Sequence, residues 1–467
     1  MIGFKNKFIL PSQIDIALLV LTILSINNTN EIIASIIGII FFSLSIYFLI
    51  RKKYDSYFVI LLLNSYQSNG YGLYNLNLLG ISPIYFTQLL ILFLNLKLMR
   101  VSKNLLYNFP LIVFIPIYLV VGLLNSINEL YYLKDLLRFL IFFSSLFLFS
   151  IPEIRLNYLR SFLKYTVIFF PVLLIFNAML SPEFKLGQEQ NYFFDETSSV
   201  FILTGFSILY HYKFRYKTPL WILFAMLIYI KISYFYFSTI ELLSLVLLLI
   251  VISLKNVRSF KKVFKLTSLI TISILCLVLI IDFIPKFTLF KYYQLVDTFL
   301  VVLNGNDILT LMPFSPKIRI LEFLNSYADL NSKSIFNLLF GNGFGSFFQY
   351  NFYPYTDYGI SSLYETGSYN DNEIIENKFF TGHNTFSFIL IKMGVISIFI
   401  FLRLFVKGIL KYLKSIVNDP LIPVFAIYIL MNLGYGNKNF ILIAFMICYL
   451  IFNEKNKPLS FSYNSIL

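Results

Sequence analysis

Apolar stretches long enough to cross a lipid bilayer recur from one end of this 467-residue chain to the other. Residues 32–50, 266–283 and 386–404 are examples. About 20 apolar residues in a helix span the hydrocarbon core of a membrane. The apolarity within each stretch is continuous rather than alternating, which favours helices over strands. Only 13% of the residues are charged, well below the share typical of a soluble protein. The chain is therefore predicted to be an all-α, polytopic membrane protein with about 12–14 transmembrane helices.

The basic residues predict how these helices are oriented. The predicted spans are residues 12–26, 32–50, 56–67, 81–96, 109–125, 135–151, 162–180, 197–211, 219–236, 239–254, 266–283, 385–405, 420–434 and 440–452. Most of the 37 Lys and Arg residues then fall in short loops on the side of the N-terminus. Excess Lys and Arg mark the cytoplasmic side, so both termini are predicted to be cytoplasmic. The net charge of +14 thus reflects membrane topology, and no nucleic-acid partner is expected.

This topology leaves one large loop on the outer side of the membrane. The loop is long enough to form a small subdomain. An amphipathic helix is predicted over residues 315–340, and a glycine turn over residues 341–345. The predicted organisation is eleven spans in 1–283, the extracytoplasmic loop in 284–384, three spans in 385–452 and a cytoplasmic tail in 453–467.

Arg319 and the glycine turn are candidates for binding an anion in this loop. The guanidinium of Arg319 can grip phosphate oxygens as a fork, although an ion pair with Glu322 is the alternative. Gly341, Gly343 and Gly345 allow positive φ, and their N–H groups could face an anion. The alternative for the glycines is a plain turn between two helices.

His383 and Asn384 stand at the end of the loop, where a predicted span begins. His383 is one of only two histidines in the chain. A neutral imidazole at a membrane surface is a candidate general base for a hydroxyl group. Asn384 would orient the ring, or cap the helix that follows. The alternative for His383 is a structural role at the start of that helix.

Two cations within predicted spans are candidates for holding a diphosphate. Charges in the hydrocarbon region are costly and usually face a partner or a cavity. Lys231 and Arg138 would add positive potential at such a site. Pairing of Arg138 with Asp135, or of Lys231 with Glu241, is the alternative. No metal or cofactor is expected, because the sequence has no grouping of metal-ligating residues.

Three motifs in and after the loop resemble the O-antigen polymerase and O-antigen ligase superfamily of bacterial envelope glycosyltransferases. They are Arg319, then Phe340-Gly341-Asn342-Gly343-Phe344-Gly345-Ser346-Phe347, then Gly382-His383-Asn384-Thr385-Phe386, with Lys392-Met393-Gly394-Val395-Ile396 inside the next span. In that family an arginine-bearing helix precedes a Gly-x-Gly-x-Gly turn and a His-Asn stretch that opens a span. The resemblance is close over residues 317–400, and elsewhere it rests on span count and topology.

The resemblance implies a metal-independent glycosyltransferase of the GT-C type in the bacterial inner (cytoplasmic) membrane. The donor would be an oligosaccharide on undecaprenyl diphosphate, and the acceptor a growing polysaccharide, with a chain-length regulator as a further partner. By this resemblance Arg319 holds the diphosphate and His383 is the general base. One departure is that the family's second arginine is missing from the corresponding residues 236–241.

The resemblance favours a polymerase of O-antigen or capsular polysaccharide. The alternatives are a ligase that transfers glycan to the lipid A core, a flippase for lipid-linked oligosaccharide, and a structural or assembly protein of the membrane. A flippase is disfavoured because no internal repeat is evident and the outer loop is large.

Overall fold

The fold is all-α throughout the part of the chain that the structure describes, as the sequence predicts. The structure is a computed structural model. It describes residues 12–26, 31–64, 87, 90, 103–125, 129–180, 197–211, 217–234, 239–256, 293–294, 297–298, 300–305, 308–364, 369, 371–380, 385–415, 419–432 and 440–452. The predicted spans 81–96 and 266–283 lie largely or wholly outside these residues.

The helices are numbered here in chain order. They are α1 (Gln13–Ile26), α2 (Glu31–Ile50), α3 (Tyr54–Asn64), α4 (Lys103–Asn108), α5 (Leu111–Asn125), α6 (Glu129–Ser150), α7 (Pro152–Lys164), α8 (Phe170–Leu180), α9 (Thr197–His211), α10 (Lys217–Tyr234), α11 (Thr239–Asn256), α12 (Ile308–Leu311), α13 (Phe314–Lys333), α14 (Ile335–Phe340), α15 (Asp371–Glu376), α16 (Thr385–Lys414), α17 (Leu421–Asn432) and α18 (Phe440–Phe452). Helices α9 and α18 coincide with the predicted spans 197–211 and 440–452.

Two helical segments of the described residues are long and apolar enough to cross a membrane. They are Pro152–Phe176, which joins α7 to α8 through a π-helical turn, and Phe386–Lys414 in α16. Several shorter apolar helices accompany them. Helix α16 continues nine residues beyond the predicted end of its span at 405, because apolar length predicts where a span ends and the basic last turns remain helical.

The outer surface of the helices is rich in apolar side chains. Ile32 and Ile50 at the two ends of α2 are 71% and 67% exposed, and Leu124 at the end of α5 is 80% exposed. A soluble protein rarely leaves large apolar patches facing water. This surface is the kind that a lipid environment would cover.

The interior of the bundle is built from aromatic and branched side chains. Helix α6 packs along α18, and α17 packs against α9, α11 and α16. Phe149, Tyr158 and Phe445 meet edge to face or tilted where α6, α7 and α18 come together, with ring centroids 4.5–5.5 Å apart. Such contacts contribute beyond simple area burial and fix how the helices cross.

The loop contains two helices where the sequence predicts a single helix over 315–340. Helix α13 ends at Lys333, and Ser334 adopts an extended conformation before α14 begins. The Ser334 hydroxyl accepts a hydrogen bond from the N–H of Asn337 at 3.1 Å. The single-helix prediction was therefore wrong, because Ser334 acts as an N-cap and starts a new helix.

A second, smaller core holds the loop subdomain together. It contains Ile318 and Leu321 of α13, Phe348 and Phe379 of the irregular segments, and Ile391 of α16. The backbones of Phe348 and Phe379 form an antiparallel bridge. Because Ile391 belongs to this core, the subdomain is anchored directly on α16.

A buried carboxylate in this second core accepts a hydrogen bond from a tyrosine hydroxyl. Glu322 on α13 is fully buried and accepts a hydrogen bond from the Tyr369 hydroxyl. The Tyr350 hydroxyl lies 3.1 Å from that of Tyr369. Burial, with the nearby Glu322 carboxylate, holds the pKa of Tyr369 well above its usual range, so the phenol stays protonated and donates.

Replacing the Tyr369 hydroxyl should loosen the subdomain more than replacing that of Tyr350. Tyr369→Phe removes the donor to a buried carboxylate, at a cost of about 1–3 kcal/mol. Tyr350→Phe removes only the phenol that contacts Tyr369. Limited proteolysis of the purified protein should cut the loop faster in Tyr369→Phe, with Tyr350→Phe close to wild type. Equal cleavage rates would contradict this ranking.

Candidate functional site

The glycine turn joins the loop subdomain to the helix bundle. Gly341, Gly343 and Gly345 all have positive φ, between 77° and 79°. Residues with a β-carbon rarely adopt this conformation, and glycine adopts it readily. The sequence prediction of positive φ in this turn is therefore confirmed.

Two of these glycines let backbone lie directly on backbone. A β-carbon on Gly343 would lie 2.6 Å from Cα of Gly122 in α5. A β-carbon on Gly341 would lie 2.6 Å from the backbone nitrogen of Met393 in α16. Helix α16 is broken beside that contact by Gly394, with φ 72°. The turn is thus wedged between α5 and the kink of α16.

Phe344, between two of the glycines, anchors the turn in the bundle. Its side chain is 1% exposed and belongs to the main core rather than to the loop core. Its ring stacks on Phe139 of α6, with centroids 4.4 Å apart, and lies near Tyr118 of α5. An aromatic side chain inserted in this way fixes the turn against both helices.

Several N–H groups of the turn donate to protein acceptors. The N–H of Asn342 donates to the carbonyl of Ile391 at 2.8 Å, and that of Phe344 to the carbonyl of Tyr118 at 3.3 Å. The N–H of Gly345 donates to Oδ2 of Asp135 at 2.9 Å. The geometry therefore favours a structural role for Gly341, Gly343 and Gly345, in which the turn joins the loop subdomain to the helix bundle, over direct binding of an anion.

Gly343→Ala should be much more costly than an alanine at another glycine with positive φ. Gly359 provides the matched control, because its φ is 74° and a β-carbon there meets no atom within 4 Å. Gly359→Ala should lower the free energy of unfolding only through the strained conformation, by about 1–2 kcal/mol. Gly343→Ala should lower it further, because the β-carbon forces the turn away from α5. Thermal unfolding in detergent should show a clearly lower midpoint for Gly343→Ala, and similar midpoints would refute the close-approach argument.

Beneath the turn lies a buried group of charges, here called the charge cluster: Asp135 and Arg138 of α6 with Lys392 of α16. All three side chains are at least nine-tenths buried. Nζ of Lys392 lies 2.7 Å from Oδ2 of Asp135 and also donates to the carbonyl of Ser346. NH1 of Arg138 lies 3.5 Å from Oδ1 of the same carboxylate. One carboxylate thus serves two cations, which leaves the cluster with a net positive charge.

Arg138 is the less satisfied of the two cations. Its contact with Asp135 is long, and its buried Nε has no hydrogen-bond acceptor among the described residues. A buried, poorly satisfied guanidinium is costly unless a further anionic group completes its environment. The ion pair between Arg138 and Asp135, which the sequence offers as the alternative, is present. It still leaves Nε of Arg138 without a hydrogen-bond acceptor among the described residues.

Further polar and aromatic groups surround the charge cluster on the loop side. Lys134 of α6 is half-buried, and Glu373 of α15 is close enough to interact electrostatically with Lys134 and Lys392. The rings of Tyr131 and Phe380 stack in parallel with centroids 3.7 Å apart. This stack fixes the chain at Phe380 to α6, one turn before Asp135.

The other predicted cationic and catalytic residues, Arg319, Lys231, His383 and Asn384, do not belong to the charge cluster as defined above. Arg319 is half-buried on α13, a helix that packs against α16. Lys231 is buried in α10, which packs against α8 and α9 rather than at the glycine turn. His383 and Asn384 lie outside the described residues, between Phe380 and the start of α16.

The aromatic residues after the turn divide into core and surface. Phe348 and Tyr350 are buried in the loop core. Phe352 is 48% exposed and remains accessible. Among the described residues no group of His, Cys, Asp and Glu side chains has the arrangement to hold a metal ion.

Sequence reasoning assigned no role to Lys392, although it noted this lysine between the His-Asn stretch and Gly394. The only signal was a lysine in the middle of an apolar span, which is costly without a partner. Its partner Asp135 is on a distant helix, so spacing along the chain could not reveal the pair.

Asp135→Asn should be more destabilising than Lys392→Met. The first removes the carboxylate that both buried cations contact, and loss of one side of a buried pair costs about 3–5 kcal/mol. The second leaves Asp135 neutralised by Arg138. Unfolding midpoints of the two purified variants in the same detergent measure the difference. An equal or reversed order would show that Arg138 does not share this carboxylate.

Comparisons with known protein families, with curated proteins and with solved structures find no match to this chain.

Proposed function

We propose that this chain is a multi-pass protein of the bacterial cytoplasmic membrane, with both termini in the cytoplasm. The recurring apolar helices, the apolar outer surface of the bundle and the clustering of Lys and Arg on one side support this location. The loop subdomain then faces the outside of that membrane. Charges as deeply buried as Lys392 and Arg138 are rare in membrane spans and usually mark a functional site.

Its proposed activity is the polymerisation of oligosaccharide repeat units carried on undecaprenyl diphosphate, to make O-antigen or capsular polysaccharide. An acceptor hydroxyl attacks the anomeric carbon of the donor sugar. The bond from that carbon to the diphosphate oxygen breaks, and undecaprenyl diphosphate leaves with the electron pair. The acceptor hydroxyl gives its proton to a general base. No step in this scheme requires a metal or a nucleotide sugar.

One structural observation carries the proposal: two buried cations, Arg138 and Lys392, share the carboxylate of Asp135 where the loop subdomain meets the helices. Negative charge develops on the diphosphate as it leaves, and fixed cations stabilise it best in a site without water. Arg138 is buried, has an Nε–H without an acceptor among the described residues, and shares its carboxylate with Lys392. A diphosphate oxygen would complete its hydrogen bonding.

The remaining roles rest on the sequence motifs. His383 is proposed as the general base and Asn384 as the residue that orients it. Arg319 is proposed to bind the diphosphate from the loop side. The glycine turn holds the subdomain against the charge cluster, so its contribution is to position these groups. Lys231 is a weaker candidate, because its helix packs elsewhere.

His383→Ala, Arg319→Ala and Arg138→Ala should each abolish long-chain polysaccharide while the protein stays in the membrane. Removal of a general base costs about 10²–10⁴ in rate, and removal of a charge-stabilising donor about 10²–10³. The matched control is Lys333→Ala on the same helix as Arg319, because Lys333 is exposed and pairs only with Asp329 in the contacts that the structure gives. Gel analysis of surface polysaccharide from complemented deletion strains measures chain length. Normal ladders from the His383 or Arg138 variant would overturn the role of that residue.

The deletion strain itself separates polymerase from the alternatives. A lipid A core or carrier bearing a single repeat unit is the expected result. Long lipid-linked polymer with a bare core would instead mean a ligase. Repeat units retained on the cytoplasmic side would mean a flippase, and unchanged polysaccharide would mean that the chain has no part in its synthesis.

A further inference from the structure

A basic groove lies at the end of α16 that is far from the loop subdomain. It is an open groove of about 340 Å³ along α16, lined by Arg403, Val406, Lys407, Leu410, Lys411 and Lys414. No carboxylate occurs among these described lining residues. Cations and apolar side chains alternate along this face of the helix, so the groove offers positive charge and apolar surface together.

The position of the groove along α16 matches the depth of lipid headgroups. Helix α16 begins at Thr385 beside the loop subdomain. About 20 helical residues cross the hydrocarbon core, which places the far surface of the membrane near residue 404. Arg403 therefore lies at that surface, and Lys407 and Lys414 follow one and three turns beyond it.

Contacts with the rest of the bundle orient these cations. Nζ of Lys407 donates to Oδ1 of Asn108 at 2.6 Å, and Nζ of Lys411 donates to the carbonyl of Leu450 at 3.2 Å. The guanidinium of Arg403 lies 5.5 Å from the centre of the Tyr107 ring. These partners are neutral and hold the cationic groups near the groove.

The floor between the cations is apolar and exposed. Val406 is 49% exposed and Leu410 is 45% exposed. A soluble phosphate compound would gain nothing from these two side chains, whereas a lipid can place hydrocarbon on them. Basic pockets between helices at the cytoplasmic surface are suited to anionic lipid headgroups.

We propose that this groove is a binding site for an anionic phospholipid of the inner leaflet. Lys407, Lys411 and Lys414 hold its phosphate group, and the glycerol end of the lipid, with the first methylenes of an acyl chain, lies on Val406. The inference rests on the membrane location proposed above and not on the polymerase activity, so it stands or falls separately from the activity.

The test is the lipid retained by the purified full-length protein, measured by native mass spectrometry after equilibration with vesicles of equal phosphatidylglycerol and phosphatidylcholine. Wild type should retain phosphatidylglycerol over phosphatidylcholine by about tenfold, and the triple variant Lys407→Gln, Lys411→Gln, Lys414→Gln should show almost no preference. Elution volume and unfolding midpoint check that the variant is folded. If the triple variant fails to fold, Lys414→Gln alone should still lower the preference about threefold.

A matched control removes the same number of charges from another basic turn. The control variant carries Arg51→Gln, Lys52→Asn and Lys53→Gln. These three residues are exposed and lie between α2 and α3. Asparagine is used at position 52 because the φ of Lys52 is 54°, a conformation that asparagine tolerates. This control should retain the wild-type preference. An equal loss in the control would show general surface attraction and overturn the site, as would an unchanged preference in a folded groove variant. Displacement of phosphatidylglycerol by millimolar inorganic phosphate would overturn the lipid as the occupant.

Discussion

The carboxylate of Asp135 links the parts of this structure on which the proposed function depends. It receives Lys392 from α16, Arg138 from its own helix and the N–H of Gly345 from the glycine turn. A carboxylate buried to this extent is stable only with such partners. Through it, the helix that follows the loop, the helix that carries Arg138 and the turn that docks the subdomain are held in one arrangement.

In the function that we propose, that arrangement would let a sugar be transferred without a metal. The family that the motifs resemble uses two arginines, and the second is missing from residues 236–241 of this chain. In our proposal, Arg138 supplies that positive charge from a different helix, with Lys392 beside it. Sharing Asp135 between two cations keeps both in place and leaves positive charge for the leaving diphosphate.

The sequence predicts the helices far better than it predicts their partners. Apolar length alone defines α9 and α18, because a membrane or a buried core requires continuous apolar helix there. Periodicity cannot reveal a pair such as Asp135 and Gly345, which are 210 residues apart. Nor does it show that Phe348 faces the loop core, or that Ser334 divides the amphipathic helix in two. Those features depend on which surfaces of the helices and loops pack together. The spacing of residue types along the sequence does not show that packing.

The most direct test of the proposed polymerase activity is elongation by the purified protein in vesicles. The vesicles would contain the polyprenyl-diphosphate-linked repeat unit and a metal chelator, and the products would be separated by length. A polymerase should produce a ladder of longer lipid-linked oligosaccharides, with one polyprenyl diphosphate released for each unit added. Movement of the unextended repeat unit across the bilayer, with no ladder and no released diphosphate, would contradict the proposed activity.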